Sequence, residues 1–308
     1  MPVDALILVL VAALIHATWN LLAKRSGGDV RFALFTSVAV AVVWAPLGVW
    51  VMWREAGGYG VLQWSLLAAS GLLHVLYYVT LLRGYRLADL TVVYPLARGT
   101  GPLITAMAAT VVLQETLGLQ GWAGVLGVVG GIVLIAGGPA LWRAFRQGAQ
   151  GQAHPQARAD MVRLRAGLYY GVLTGAFIAA YTLLDGYAVK RAQISPIAVD
   201  YVGNLFRLPM TAALIWVLHQ RTPLPMGAYL RQMWKPALLI GAISPVSYVL
   251  VLYAATMAPL SHVAPAREVS MLFAALLGGR LLGEQDAGWR LLGAACIAAG
   301  VVALATGA

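Results

Sequence analysis

Long apolar runs separated by short polar gaps fill the chain from end to end. They cover Asp4–Ala23, Arg31–Trp53, Val61–Leu82, Thr91–Leu113 and Gln120–Gly138, then Ala166–Val189, Pro196–His219, Pro236–Ala258, Leu260–Leu282 and Gly288–Thr306. Runs of about 20 residues reach about 30 Å as helices, the thickness of a bilayer's hydrocarbon core. The pattern predicts an all-α membrane protein with ten transmembrane helices. The one long polar connector, Trp142–Arg165, carries five arginines and the pair His154-Pro155. It divides the chain into a first five-helix repeat at 1–139, a basic linker at 140–165 and a second five-helix repeat at 166–308.

Five crossings per half is an odd number, so the second half enters the membrane from the opposite face and the repeats are inverted. Pro95, Arg98, Glu115, Gly124 and Gly131 align with Pro265, Arg267, Glu284, Gly293 and Gly300 after one deletion. His16 and Asn20 fall opposite Tyr181 and Asp185, each pair four residues apart and so on one helical face. Gly127 and Gly131 have the spacing that lets two membrane helices approach closely.

Composition removes the soluble alternatives. Of 308 residues, 61% are hydrophobic and 10% charged, and the mean hydropathy is +0.80. The net charge of +10 is scattered through short gaps, where it acts as a topology signal; no nucleic-acid partner is expected. Cys296, the single cysteine, allows no internal disulfide, and the five histidines are too dispersed for a metal centre or a His-Glu-x-x-His helix. No metal, cofactor or catalytic residue is expected. The first run has no basic leader segment and reads as a retained span.

The chemistry concentrates around Arg98. It lies at bilayer depth between Pro95 and Pro102, a pattern that predicts a broken helix facing protein or water. Val263-Ala264-Pro265-Ala266-Arg267-Glu268 repeats it, and Ser244-Pro245 is a further hinge candidate. Two guanidinium groups near one axis suit the bidentate recognition of carboxylate or phosphoryl oxygens. The plainer alternative is an internal ion pair. Adjacent residues on a helix point about 100° apart, so Asp185 or a substrate competes with Glu268 as the partner of Arg267. Asp200, Asn204 and Arg207 form another one-face stripe, read as a self-satisfied network.

The five-plus-five count, the segment His16-Ala17-Thr18-Trp19-Asn20 with Lys24, and Glu115 and Glu284 before the fifth and tenth runs resemble the drug/metabolite transporter superfamily, in its ten-helix EamA-like branch. The resemblance implies a central cavity enclosed by spans 1, 3, 4, 6, 8 and 9, and gives Glu115 and Glu284 structural roles. The candidate substrate-binding residues on those spans are His16, Trp19, Asn20, His74, Tyr78, Tyr94, Arg98, Tyr181, Asp185, Tyr248, His262, Arg267 and Glu268. The expected function is secondary transport of a small anionic or zwitterionic metabolite by alternating access, with protons as candidate coupling ions and the protein a monomer or homodimer in the inner (plasma) membrane. A lipid or lipid-linked flippase of the same fold is the first alternative and an intramembrane enzyme the second.

The short gaps also set an orientation. With the termini outside, fifteen Lys and Arg lie in the cytoplasmic gaps, while Arg54, Lys190 and Arg191 alone lie on the opposite face. Short loops keep their positive charge inside, so both termini are expected to be extracytoplasmic and the linker cytoplasmic.

Overall fold

The computed structural model describes residues 1–26, 30–88, 90–149, 155–217, 225–273 and 287–307, and among them there are helices and no strand. In order these are α1 (Val3–Ser26), α2 (Val30–Val43), α3 (Ala45–Glu55), a short 3-10 turn (Ala56–Gly58), α4 (Val61–Leu87), α5 (Leu90–Val112), α6 (Leu119–Ala149), α7 (Pro155–Lys190), α8 (Pro196–Val217), α9 (Met226–Met257), α10 (Leu260–Ala266) and α11 (Ala287–Thr306). Among the described residues four helices are long and apolar enough to span a bilayer: α1, α4, α7 and α9. A fifth follows if α2 and α3 are one span.

That second run was expected to be a single helix, but it bends by 65° between α2 and α3. Pro46 sits in the first turn of α3, where a missing N–H costs nothing but the preceding helix cannot continue straight. Trp44 pins the corner by donating its indole N–H to the Ala242 carbonyl at 3.2 Å. Other boundaries moved through tertiary packing. Helix α9 starts at Met226 with Pro236 and Pro245 inside it, because Tyr229, Met233 and Ala237 bury against Phe32 and Trp19. Arg31, counted above as a topology signal, is 5% exposed with its guanidinium 3.7 Å over the Tyr229 ring. The linker's described residues are helical too, α6 running to Ala149 and α7 starting at Pro155.

The two halves pack reciprocally. Helix α1 lies on α9 as α4 lies on α7, α2 lies on α9 as α8 lies on α4, and α5 meets α10 as α6 meets α11. The last contact reveals the symmetry in single residues. A Cβ added at Gly131 would fall 2.5 Å from the Gly293 carbonyl oxygen, and one at Gly124 would fall 2.8 Å from that of Gly300. Gly124 and Gly131 align with Gly293 and Gly300 in the repeat, so each contact is the twofold image of the other and the helices run antiparallel. Backbones this close leave no room for a side chain, which is why small residues recur here.

The broken-helix expectation holds in one copy only. Helix α5 is continuous through Pro95 and Pro102. Its neighbour explains this: α7 brings Gly175 so near that a Cβ there would lie 1.8 Å from Thr100 Oγ1, and such clamping holds a proline-containing membrane helix in line. In the second copy α10 ends at Ala266, residues 267–268 form a turn, and helix resumes over 269–273. Glu268 and Met271 make i to i−3 bonds there, Glu268 N–H to Pro265 O at 3.0 Å and Met271 N–H to Glu268 O at 2.8 Å.

Candidate functional site

The turn after α10 and the middle of α5 deliver two arginines to one carboxylate. Arg98 Nη2 lies 2.8 Å from Glu268 Oε2, and Arg267 Nη2 lies 3.5 Å from Glu268 Oε1. Of the partners left open for Arg267, Glu268 is the one in contact, and the backbone tightens to 3-10 geometry at this point. The Arg98 contact is close in distance but not aligned as a hydrogen bond, and Arg98 instead donates to Ser270 Oγ at 3.3 Å. The carboxylate is 1% exposed, the Arg98 side chain 12% and the Arg267 side chain 7%. One anion therefore faces two cations. Both Nε atoms remain without a hydrogen-bond partner among the described residues, so the cluster carries spare positive charge and spare donors.

Beside it stands an aromatic wall. His74 stacks on Tyr181 with centroids 4.1 Å apart and meets the Tyr248 ring edge-on at 5.8 Å. Tyr77 packs against Tyr181 at 5.8 Å. His74 Nδ1 is 2.8 Å from the Ser70 carbonyl, which can only accept, so Nδ1 bears the proton. The Tyr248 hydroxyl donates to Asp185 Oδ2. From the first helix, Trp19 stacks edge-on with His16 at 4.8 Å and donates to Ser247 Oγ at 3.3 Å. His16 lies in the field of Arg98 and Arg267. Asn20 and Tyr78 are half-buried, and Tyr94 donates to Met271 Sδ at 3.3 Å.

Ten of the thirteen residues singled out in the sequence make the contacts just described, and Asn20 and Tyr78 are half-buried on α1 and α4. His262, on α10, lies apart: 3% exposed, it sits toward the end of the bundle where the termini meet, Met1 N donating to the Ala305 carbonyl at 2.9 Å, and a Cβ on Gly121 there would be 3.6 Å from its Nε2. Ser270, Ser247 and Tyr77 contribute contacts that the sequence reading left out. Tyr77 stands three residues after His74 and so shared its helical face; nothing marked the two serines.

Glu115 holds the same terminal end together. It accepts from Lys190 Nζ at 2.8 Å and from the backbone N–H groups of Leu260 and Ser261 at 2.7 and 2.8 Å. Arg191 adds a bond to the Leu113 carbonyl at 3.3 Å. Burial alone would raise the carboxyl's pKa, but the Lys190 ammonium and the two amides outweigh it and hold the group below its ordinary range. Its structural role thus has a definite content: it ties the first repeat to two helices of the second. Its repeat mate Glu284 lies outside the described residues. The stripe on α8 is also internally engaged, Arg207 standing 3.9 Å from Asp200 and Asn204 Nδ2 donating to the Ser37 carbonyl at 2.9 Å.

Three comparisons bear on this arrangement. A solved crystal structure, described only as that of a protein, is 18% identical and superposes with a TM-score of 0.71 over 99% of this chain and 97% of its own. At that identity the likeness is one of fold. No curated protein matches the chain. The EamA-like transporter family matches residues 4–137 and 165–306, the two repeats with the linker left between them. With both halves matched in this way, the chain belongs to the EamA-like transporter family, a family of membrane transporters.

Proposed function

We propose that the protein is a ten-span secondary transporter of a small anionic or zwitterionic metabolite, amino-acid-like or aminophosphonate-like. One observation carries this reading: Arg267, which is buried, and Arg98, whose side chain is 12% exposed, share the single carboxylate of Glu268. A purely structural charge cluster gains by matching its signs, because unpaired charge inside a membrane is costly. An unbalanced cation with free guanidinium donors is instead suited to an incoming acid group. Asp185 and the rings of His74, Tyr181 and Tyr248 offer a second pole for an ammonium group.

The test is binding by the purified protein and by Arg98→Gln across anionic, zwitterionic and cationic metabolites. Anionic and zwitterionic ligands are expected to weaken at least about 30-fold, equivalent to about 2 kcal/mol for a charged hydrogen-bonding partner, with cationic ligands unaffected. An anionic ligand bound equally well by the variant contradicts the assignment.

The reading includes an orientation in the inner (plasma) membrane, with termini outside and linker inside, supported by the charge asymmetry of the gaps. A reporter fused at Ala308 should be active outside the cytoplasm; activity confined to the cytoplasm reverses the orientation.

A further inference from the structure

The acidic member of the ammonium pole, Asp185, also lacks a counter-charge: it is 0% exposed, yet among the described residues no cation pairs with it within salt-bridge distance. Its Oδ2 accepts from the Tyr248 hydroxyl, while Oδ1 has no hydrogen bond. The Ser70 hydroxyl lies near enough to interact with the carboxyl but is not aligned as a donor to Oδ1. The charged groups around it make their closest carboxylate contacts with other residues, although Arg207 acts on Asp185 through its field. From α8, Arg207 faces Asp200; from α5 and the turn after α10, Arg98 and Arg267 converge on Glu268. From α4, His74 is turned to the Ser70 carbonyl, and on α7 itself Tyr181 stacks on His74.

An ionised carboxylate buried without a counter-charge is among the costlier arrangements a membrane protein can hold. The same position in the first repeat is Asn20, which presents a similar shape with no charge to balance. We infer that Asp185 is the proton-carrying group of the transport cycle. When the site is open to one face, a hydronium ion gives a proton to Oδ1: one hydronium O–H bond breaks as the carboxyl O–H bond forms, leaving water and a neutral acid still held by Tyr248. When the repeats exchange positions and the site meets the other face, that O–H bond breaks and the proton passes to a water there, forming hydronium. Net, one proton moves per cycle. The inference deepens the transporter reading by naming a coupling ion and the group that binds it.

The experiment is infrared difference spectroscopy of the full-length protein in lipid between alkaline and acidic buffer, paired with thiol labelling of Tyr94→Cys over the same pH range. The wild type should show the carbonyl band of a protonated carboxylic acid growing on acidification. That band should be lost in Asp185→Asn, kept in Asp200→Asn and displaced in Tyr248→Phe, which retains the carboxylate if Asp185→Asn fails to fold. The pH dependence of labelling should vanish with it in Asp185→Asn. A titrating band that persists in Asp185→Asn, a band unmoved by Tyr248→Phe, or labelling in the wild type that ignores pH overturns the inference. None of these outcomes touches the Arg98 binding test, so the substrate reading stands or falls separately.

Discussion

Glu268→Gln is expected to destabilise the protein by about 3–5 kcal/mol, the usual consequence of stripping the counter-ion from a buried charge. The size follows from the arithmetic of the cluster. With Glu268 ionised, two guanidinium groups share one negative charge; without it, two cations face each other across a site where the carboxylate is 1% exposed. Arg98→Gln should behave in the opposite way, since it leaves Arg267 and Glu268 as a balanced pair. Stability and binding therefore separate: the glutamate variant loses thermal stability in detergent, while the arginine variant keeps it and loses the ligand. Thermal unfolding of both variants beside the wild type checks this. A glutamate variant as stable as the wild type would mean that Glu268 is not ionised or that the guanidiniums find other partners.

The repeat was legible in the sequence because it is written in residues whose physics is strong. A proline before an intramembrane arginine, and glycines seven apart on a packing face, survive duplication recognisably, and the structure pairs Gly124 with Gly300 and Gly131 with Gly293 as twofold images. The convergence on Glu268 was not legible. It depends on how the backbone tightens after Pro265, and periodicity assumes an ideal helix throughout. The opposite error arises in α5, where Pro95 and Pro102 predict a break but the close approach of Gly175 keeps the helix continuous. The bend at Trp44 was missed for a related reason: Pro46 in an apolar run signals a kink, a corner or nothing, and the choice is made by Ala242 and Tyr201 from the other repeat. His262 shared a run with Arg267 and Glu268, but five residues of helix carry it toward the terminal end and away from them.

The transport cycle proposed for this protein requires two symmetry-related halves to take turns in exposing one site. In this structure the terminal end is tied by Glu115, Lys190 and the start of α10. The two repeat mates differ accordingly: Tyr94, toward the linker end, is half-buried, and Ala264, toward the terminal end, is 2% exposed. Alternating access requires that this difference reverse when the ties exchange. The direct measurement is labelling by a small thiol reagent at Tyr94→Cys and at Ala264→Cys, each in a Cys296→Ser background, as Glu115→Gln loosens the terminal end. Labelling at Ala264→Cys should rise several-fold while labelling at Tyr94→Cys falls. If the two positions rise or fall together, the halves do not exchange roles and the inverted-repeat mechanism is contradicted.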